Sequence, residues 1–196
     1  MKRNLILAIA AVFILATAAA SAQTSPTTTT VPNGQAEQAR EKLKLELQQK
    51  REEAKKKLQS VKDEAKRRIL QQVTTQIDAL NDLKAEHLTN VVTQIEGVLG
   101  RIETKITTAK TEGKDVAAAE AAVATAKVKI AEAKSAIATE AAKVYEIKIT
   151  DQTAAALRGQ FQTTKKLFSD DIKAVHEKVK AARDAVRQAI IAFNGK

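Results

Sequence analysis

Arg101-Ile102-Glu103-Thr104-Lys105-Ile106 leads through Glu112-Gly113-Lys114-Asp115 into Val116-Ala117-Ala118-Ala119-Glu120-Ala121-Ala122-Val123, a stop signal and a start signal almost side by side. Gly113 can take the left-handed conformation that ends a helix, and Asp115 can accept from the first free amides of the next. Past the turn, Val116, Val123, Ile130, Ile137 and Val144 recur at heptad spacing, with Ala119, Ala126 and Ala133 at the alternate core positions. That pattern is a coiled-coil seam of about four heptads. Alanine at every second core position lets a neighbouring backbone approach closely, so the spacing predicts a tight antiparallel helical hairpin.

The composition agrees with thin helical packing. Of 196 residues only 3% are aromatic, with no Trp, six Gly and two Pro, which suits long helices sharing a narrow seam rather than a deep core. Alanine inflates the apolar fraction while burying little area. Cysteine is absent, which excludes disulfides, thiolate zinc sites and cysteine nucleophiles.

Met1-Lys2-Arg3, the apolar run from Leu5 to Ala20 and the small residues Ala20-Ser21-Ala22 have the order of a secretory signal peptide over 1–22. An uncleaved signal anchor is the alternative, since the run is only slightly shorter than a span of ~20 residues. Cleavage before Gln23 removes Lys2 and Arg3 and takes the formal charge from +10 to +8. The Thr/Pro-rich stretch 23–34 has nothing to bury, so it reads as a disordered or extended linker and suits O-glycosylation. The expected location is extracytoplasmic, in a periplasm or at a cell surface.

From Gln35 to Lys110 there is no Pro, and no Gly before Gly97, so the default is one helix of roughly 75 residues and about 110 Å. Its apolar positions, from Leu47 and Ala54 through Ile69, Val73, Ile77 and Leu80 to Ile106 and Ala109, repeat at about 3.65 residues, the spacing of a nearly straight stripe. The chemistry divides it. Glu37 to Arg68 carries 12 basic and 7 acidic residues, whereas Ile69 to Glu112 carries 4 basic and 6 acidic residues with a dense Ile/Leu/Val stripe. Residues 35–68 are therefore expected to be a charged projecting arm, and 69–193 a three-helix bundle with helices near 69–111, 116–144 and 152–193.

Gly97 and Gly100 in the core half each cost about 1 kcal/mol relative to Ala without compensation. They predict either close approach to the Ala-rich seam or a kink. Val144-Tyr145-Glu146-Ile147-Lys148-Ile149-Thr150-Asp151 alternates apolar and polar, which reads as a short extended connection. Pairing with the same stretch in another copy is the alternative. The last helix carries Leu157, Phe161, Phe168, Ile172, Val175, Val179, Ala182, Val186, Ile190 and Phe193 at helical spacing, with Gly159 and Ser169-Asp170-Asp171 as candidate breaks. The fold class is thus all-α: an elongated antiparallel helical hairpin with a third helix and a long projecting N-terminal helix.

The stretches at 101–106 and 113–116, the connection at 145–150 and Asp170-Asp171-Ile172-Lys173-Ala174-Val175 resemble those of uncharacterised small secreted helical proteins of bacteria. That resemblance implies a repeated helical architecture and a secreted setting, and no activity. A looser likeness is to periplasmic Skp-type holdase chaperones, whose helical tentacles are assembled by a β-rich head. Here Tyr145 to Ile149 is the one candidate strand.

No phosphate-binding glycine loop, serine elbow or His-x-x-x-His pair occurs. His87 and His176 flank apolar positions and read as helix-surface residues, not as a metal pair or pH sensor. Asp170-Asp171 and Glu52-Glu53 read as solvated charges. With no catalytic, cofactor or metal residues to name, the chain is expected not to be an enzyme. A basic surface favours acidic partners, and the candidate polyanion contacts are Lys55, Lys56, Lys57, Lys66, Arg67, Arg68, Lys178, Lys180, Arg183 and Arg187. Sequence-specific nucleic-acid binding is not expected, because no aromatics interleave the basic residues. Membrane contact is expected only through an uncleaved leader, and a homo-oligomer is compatible with the pattern. The expected function is a spacer or scaffold contacting a protein or an acidic envelope polymer, with a holdase as the alternative.

Overall fold

A computed structural model describes residues 33–149 and 153–195; the expected leader, most of the linker, Thr150 and Asp151 of the expected connection and Gln152 of the expected last helix lie outside them. Four helices follow in order: α1 (Asn33–Leu58), α2 (Glu64–Thr111), α3 (Ala117–Ala141) and α4 (Ala154–Asn194). The fold is all-α. Helices α2, α3 and α4 form a three-helix bundle, to which α1 is attached more loosely.

The turn between α2 and α3 forms as its residues require. Gly113 has φ 77°, its amide reaches Lys110 O at 3.0 Å, and the Lys114 amide reaches Ala109 O at 3.0 Å, which satisfies the last carbonyls of α2. Asp115 Oδ1 accepts from the Ala117 amide at 3.1 Å. The seam then closes. Val116, Ala119, Val123, Ala126, Ile130, Ala133 and Ile137 are all buried, and from α2 they meet Ala85, Leu88, Val92, Ile95, Leu99, Ile102, Ile106 and Ala109. These α2 positions alternate steps of three and four, a period of about 3.5, so the helix supercoils where the straighter stripe was expected. Helix α4 seals the third side with Val175, Val179, Ala182, Val186 and Ala189. It runs parallel to α2: its end, at Phe193, lies beside Ala109 and Val116, and its start, at Leu157, packs with Leu70.

Several expectations are corrected. The long first helix is broken at 59–63, where side chains capture backbone groups: Ser60 Oγ donates to Lys57 O at 2.8 Å and Asp63 Oδ1 accepts from the Lys66 amide at 3.1 Å. Such local bonds compete with helix continuation. Val61, fully buried, pins the corner into a second small core with Leu58, Leu70, Ile147 and Leu157. Helix α1 therefore folds back along α2, so the arm pivots at this corner and is not an extension of α2. Ile69 and Leu80, placed on the core stripe by the sequence, are exposed. Gly97 and Gly100 are not close-approach sites, because a Cβ at either would meet nothing within 4 Å, and α2 continues unbroken through both. Helix α4 likewise runs through Gly159 and Ser169-Asp170-Asp171 without a break. The expected extended connection at 144–151 is described as far as Ile149, and over 144–149 it is neither helix nor strand.

Candidate functional site

Between the two cores, α2 buries polar residues where apolar ones would continue the seam: Thr74, Asp78 and Asn81. Asn81 Nδ2 donates to the Glu140 carbonyl at 2.9 Å in a buried bond at the end of α3. The Glu140 carboxylate, 2% exposed, accepts a short bond from the Tyr145 hydroxyl and pairs with Lys143 Nζ at 2.9 Å. Asp171 of α4 takes the other side, 2.9 Å from the Tyr145 hydroxyl and 2.8 Å from Lys143 Nζ. Tyr145 also stands edge-on to Phe168, ring centroids 5.2 Å apart. Burial, then the hydrogen bonds to Glu140 and Asp171, push the phenol far above its ordinary range. For Lys143 burial opposes the charge, but bonds to Asp171 and Glu140 outweigh it and hold the ammonium charged.

The belt lies at the level where α3 ends, and there α2 buries two adjacent residues, Ile77 and Asp78, where the seam above buries one at a time. Below it the chain from Ala142 to Ile149 takes α3's place and α1 covers what is left open. Arg51 fastens that cover by a bidentate pair with Asp82 at 3.0 and 2.7 Å, its Nε 3.8 Å from Asp78. The bond to Asp82 holds the guanidinium charged, whereas burial raises the Asp78 carboxyl against the pull of Arg51. Lys57 adds a bond to Glu146 at 2.9 Å.

This architecture concentrates charge. The corner at 59–63 and its flanks, 55–68, hold seven Lys and Arg against two acids, Asp63 and Glu64.

The ten residues singled out by the sequence separate into two groups. Lys55, Lys56, Lys57, Lys66, Arg67 and Arg68 gather on the two sides of the corner at 59–63. Lys178, Lys180, Arg183 and Arg187 lie roughly 40 Å away along the bundle at 1.5 Å per residue, among acidic neighbours such as Glu132 and Asp184. Several of the corner group pair locally: Lys55 with Glu52 at 2.8 Å, Lys66 with Asp63 at 3.5 Å and Arg68 with Glu64 at 2.6 Å. These exposed pairs are worth little and are readily exchanged for an outside anion. The sequence reading missed Lys148 and Arg158, which the fold brings to the same end from 80 to 100 residues away. Only their tertiary placement reveals them.

His87 and His176 are both exposed. Among the described residues no group of three or more His, Asp or Glu side chains could hold a metal ion, and no helix is long and apolar enough to cross a membrane. No family model matches the chain, and neither the curated proteins nor the solved structures contain a match to it.

Proposed function

We propose that this chain is a non-enzymatic, extracytoplasmic spacer whose basic end contacts an acidic partner in the cell envelope. The observation that carries the reading is the basic corner at the lower end, where 55–68 hold seven Lys and Arg against two acids. A rod with α2 of 48 residues, about 70 Å long at 1.5 Å per residue, holds one end well clear of the other. Clustered exposed lysines and arginines attract polyanions over a Debye length of ~8–10 Å. The signal-peptide pattern supports the location, and the Thr/Pro linker supports a tethered or displayed arrangement.

The test is titration of the chain from Gln23 onward with a soluble polyanion, inorganic polyphosphate, over a range of salt. Binding should weaken steadily as salt rises. Reversing Lys56, Arg67 and Arg68 to Glu should lower affinity about tenfold or more, ~1.4 kcal/mol for each factor of ten. Reversing Lys180 and Arg187 should change it far less. Equal losses from the two sets, or binding indifferent to salt, would remove the cationic end as the contact.

A further inference from the structure

Helix α2 is apolar on two faces in its lower half. Beside the buried face, Ile69, Val73, Leu80 and Leu83 fall within about 80° of arc at 3.6 residues per turn, and Ile69 and Leu83 are 61% and 60% exposed. Where this second stripe meets α4, a groove of about 340 Å³ opens, lined by Ile69, Val73, Leu157 and Phe161 together with Lys66 and Arg158. That volume is at the small end of ligand pockets, about 300–1,000 Å³, and accommodates part of one hydrocarbon chain.

We propose that the groove and its basic surround form a docking site for an anionic lipid surface, with an acyl chain entering against Ile69 and Phe161 and phosphates lying on Lys66 and Arg158. This rests on the basic-end reading above and names its partner. A hydrophilic acidic polymer would satisfy the cations and leave the apolar lining in water. A second copy docking by the same face would bring two cationic ends together. An anionic bilayer supplies both chemistries that meet in this lining, phosphate for the cations and hydrocarbon for the apolar side chains, and polybasic segments gain about 1 kcal/mol per Lys or Arg near such a surface. The arm at 35–68 has no Phe or Trp of its own; the fold brings Phe161 to the basic end from a different helix.

The chain from Gln23 onward is to be co-sedimented with vesicles of equal parts phosphatidylglycerol and phosphatidylcholine, with phosphatidylcholine vesicles, and titrated in parallel with polyphosphate. Binding to the anionic vesicles only is expected. Ile69→Ser, at an exposed position that leaves melting unchanged, should lower vesicle affinity about tenfold while polyphosphate binding stays as it was; Phe161→Ser, checked for folding by circular dichroism, should do the same. Vesicle binding unaltered in both variants would overturn the lipid site while leaving the basic-end reading standing. Equal binding to neutral vesicles, or a dimer abolished by Ile69→Ser, would also overturn it. Loss of neither vesicle nor polyphosphate binding on reversing Lys56, Arg67 and Arg68 would instead remove the basic-end reading itself.

Discussion

The upper bundle and the lower end are made from the same two helices, yet they are held together by different forces. Above Asn81, α2 and α4 meet α3 through a dry seam of valine, leucine, isoleucine and alanine, whose positions keep a strict heptad. Below it, α3 is gone, the segment 142–149 stands in its place, and the contacts are a small core of Leu58, Val61, Leu70, Ile147 and Leu157 beside buried polar groups. The upper part is fastened by area removed from water, which is insensitive to sequence detail. The lower part depends on particular donors and acceptors, each of which costs if left unpaired.

The sharpest way to break the contrast is at the seam. Ile130→Asp places a carboxylate in the seam at a position 4% exposed, and a loss above ~4 kcal/mol is expected. Ile130→Ala should cost ~2–5 kcal/mol, both read as denaturant midpoints by circular dichroism. Survival of the full melting temperature in Ile130→Asp would mean that the two limbs do not depend on this seam.

Next in size is the polar belt. Tyr145→Phe removes the hydroxyl that Glu140 and Asp171 share, leaving a buried carboxylate short of a donor for about 1–3 kcal/mol. The same residue makes the belt sensitive to alkali. Burial, then the bonds to Glu140 and Asp171, raise the folded phenol above its ordinary 10.0, so the unfolded chain releases a proton that the folded chain keeps. Its contribution is whole below pH 10.0 and falls as pH rises beyond that value. Since Tyr145 is the sole tyrosine and there is no Trp, the tyrosinate absorbance should appear only as the chain unfolds. Ionisation of the native chain at the ordinary pH would show that the hydroxyl is not buried.

A smaller effect sharpens the corner. Asp63→Ala removes the side-chain cap of α2 and should cost ~1 kcal/mol in melting experiments. The smallest is favourable: Gly97→Ala and Gly100→Ala should each stabilise α2 by up to ~1 kcal/mol, because space is open at both positions. A destabilising result would restore the close approach that the seam geometry denies.

The parts legible in the sequence are those whose signals are local and apolar. Gly113 and Asp115 marked the hairpin, and the heptad from Val116 to Ile137 marked the core face, because each rests on neighbours within a few turns. The register of α2 was misread where polar residues occupy core positions: Thr74, Asp78 and Asn81 interrupt the apolar run, so the eye follows Ile69 and Leu80 onto the outer face. The break at 59–63 was hidden because helical propensity outside it is strong, and its cause, Val61 entering a core with Ile147 and Leu157, involves residues about 90 positions away. Of the candidate contacts, the corner lysines and arginines could be seen as a run of charge. Their separation from Lys178 to Arg187, and their joining by Arg158, follow from how α4 lies against α2.

The passage at 144–149 has a consequence for the breathing of the molecule. Among the described residues no backbone-to-backbone hydrogen bond ties it down; side chains anchor it, through Tyr145 and its hydroxyl bonds, Ile147, the Lys57–Glu146 pair and the 3.4 Å bond from Thr164 to the Glu146 carbonyl. Amide protons there should exchange with solvent long before those of α2 and α3 at Ile102 or Ile130, since opening this strip leaves the seam intact. The cationic end can then loosen and reclose while the rod above it stays folded, a joint that yields without the shaft giving way.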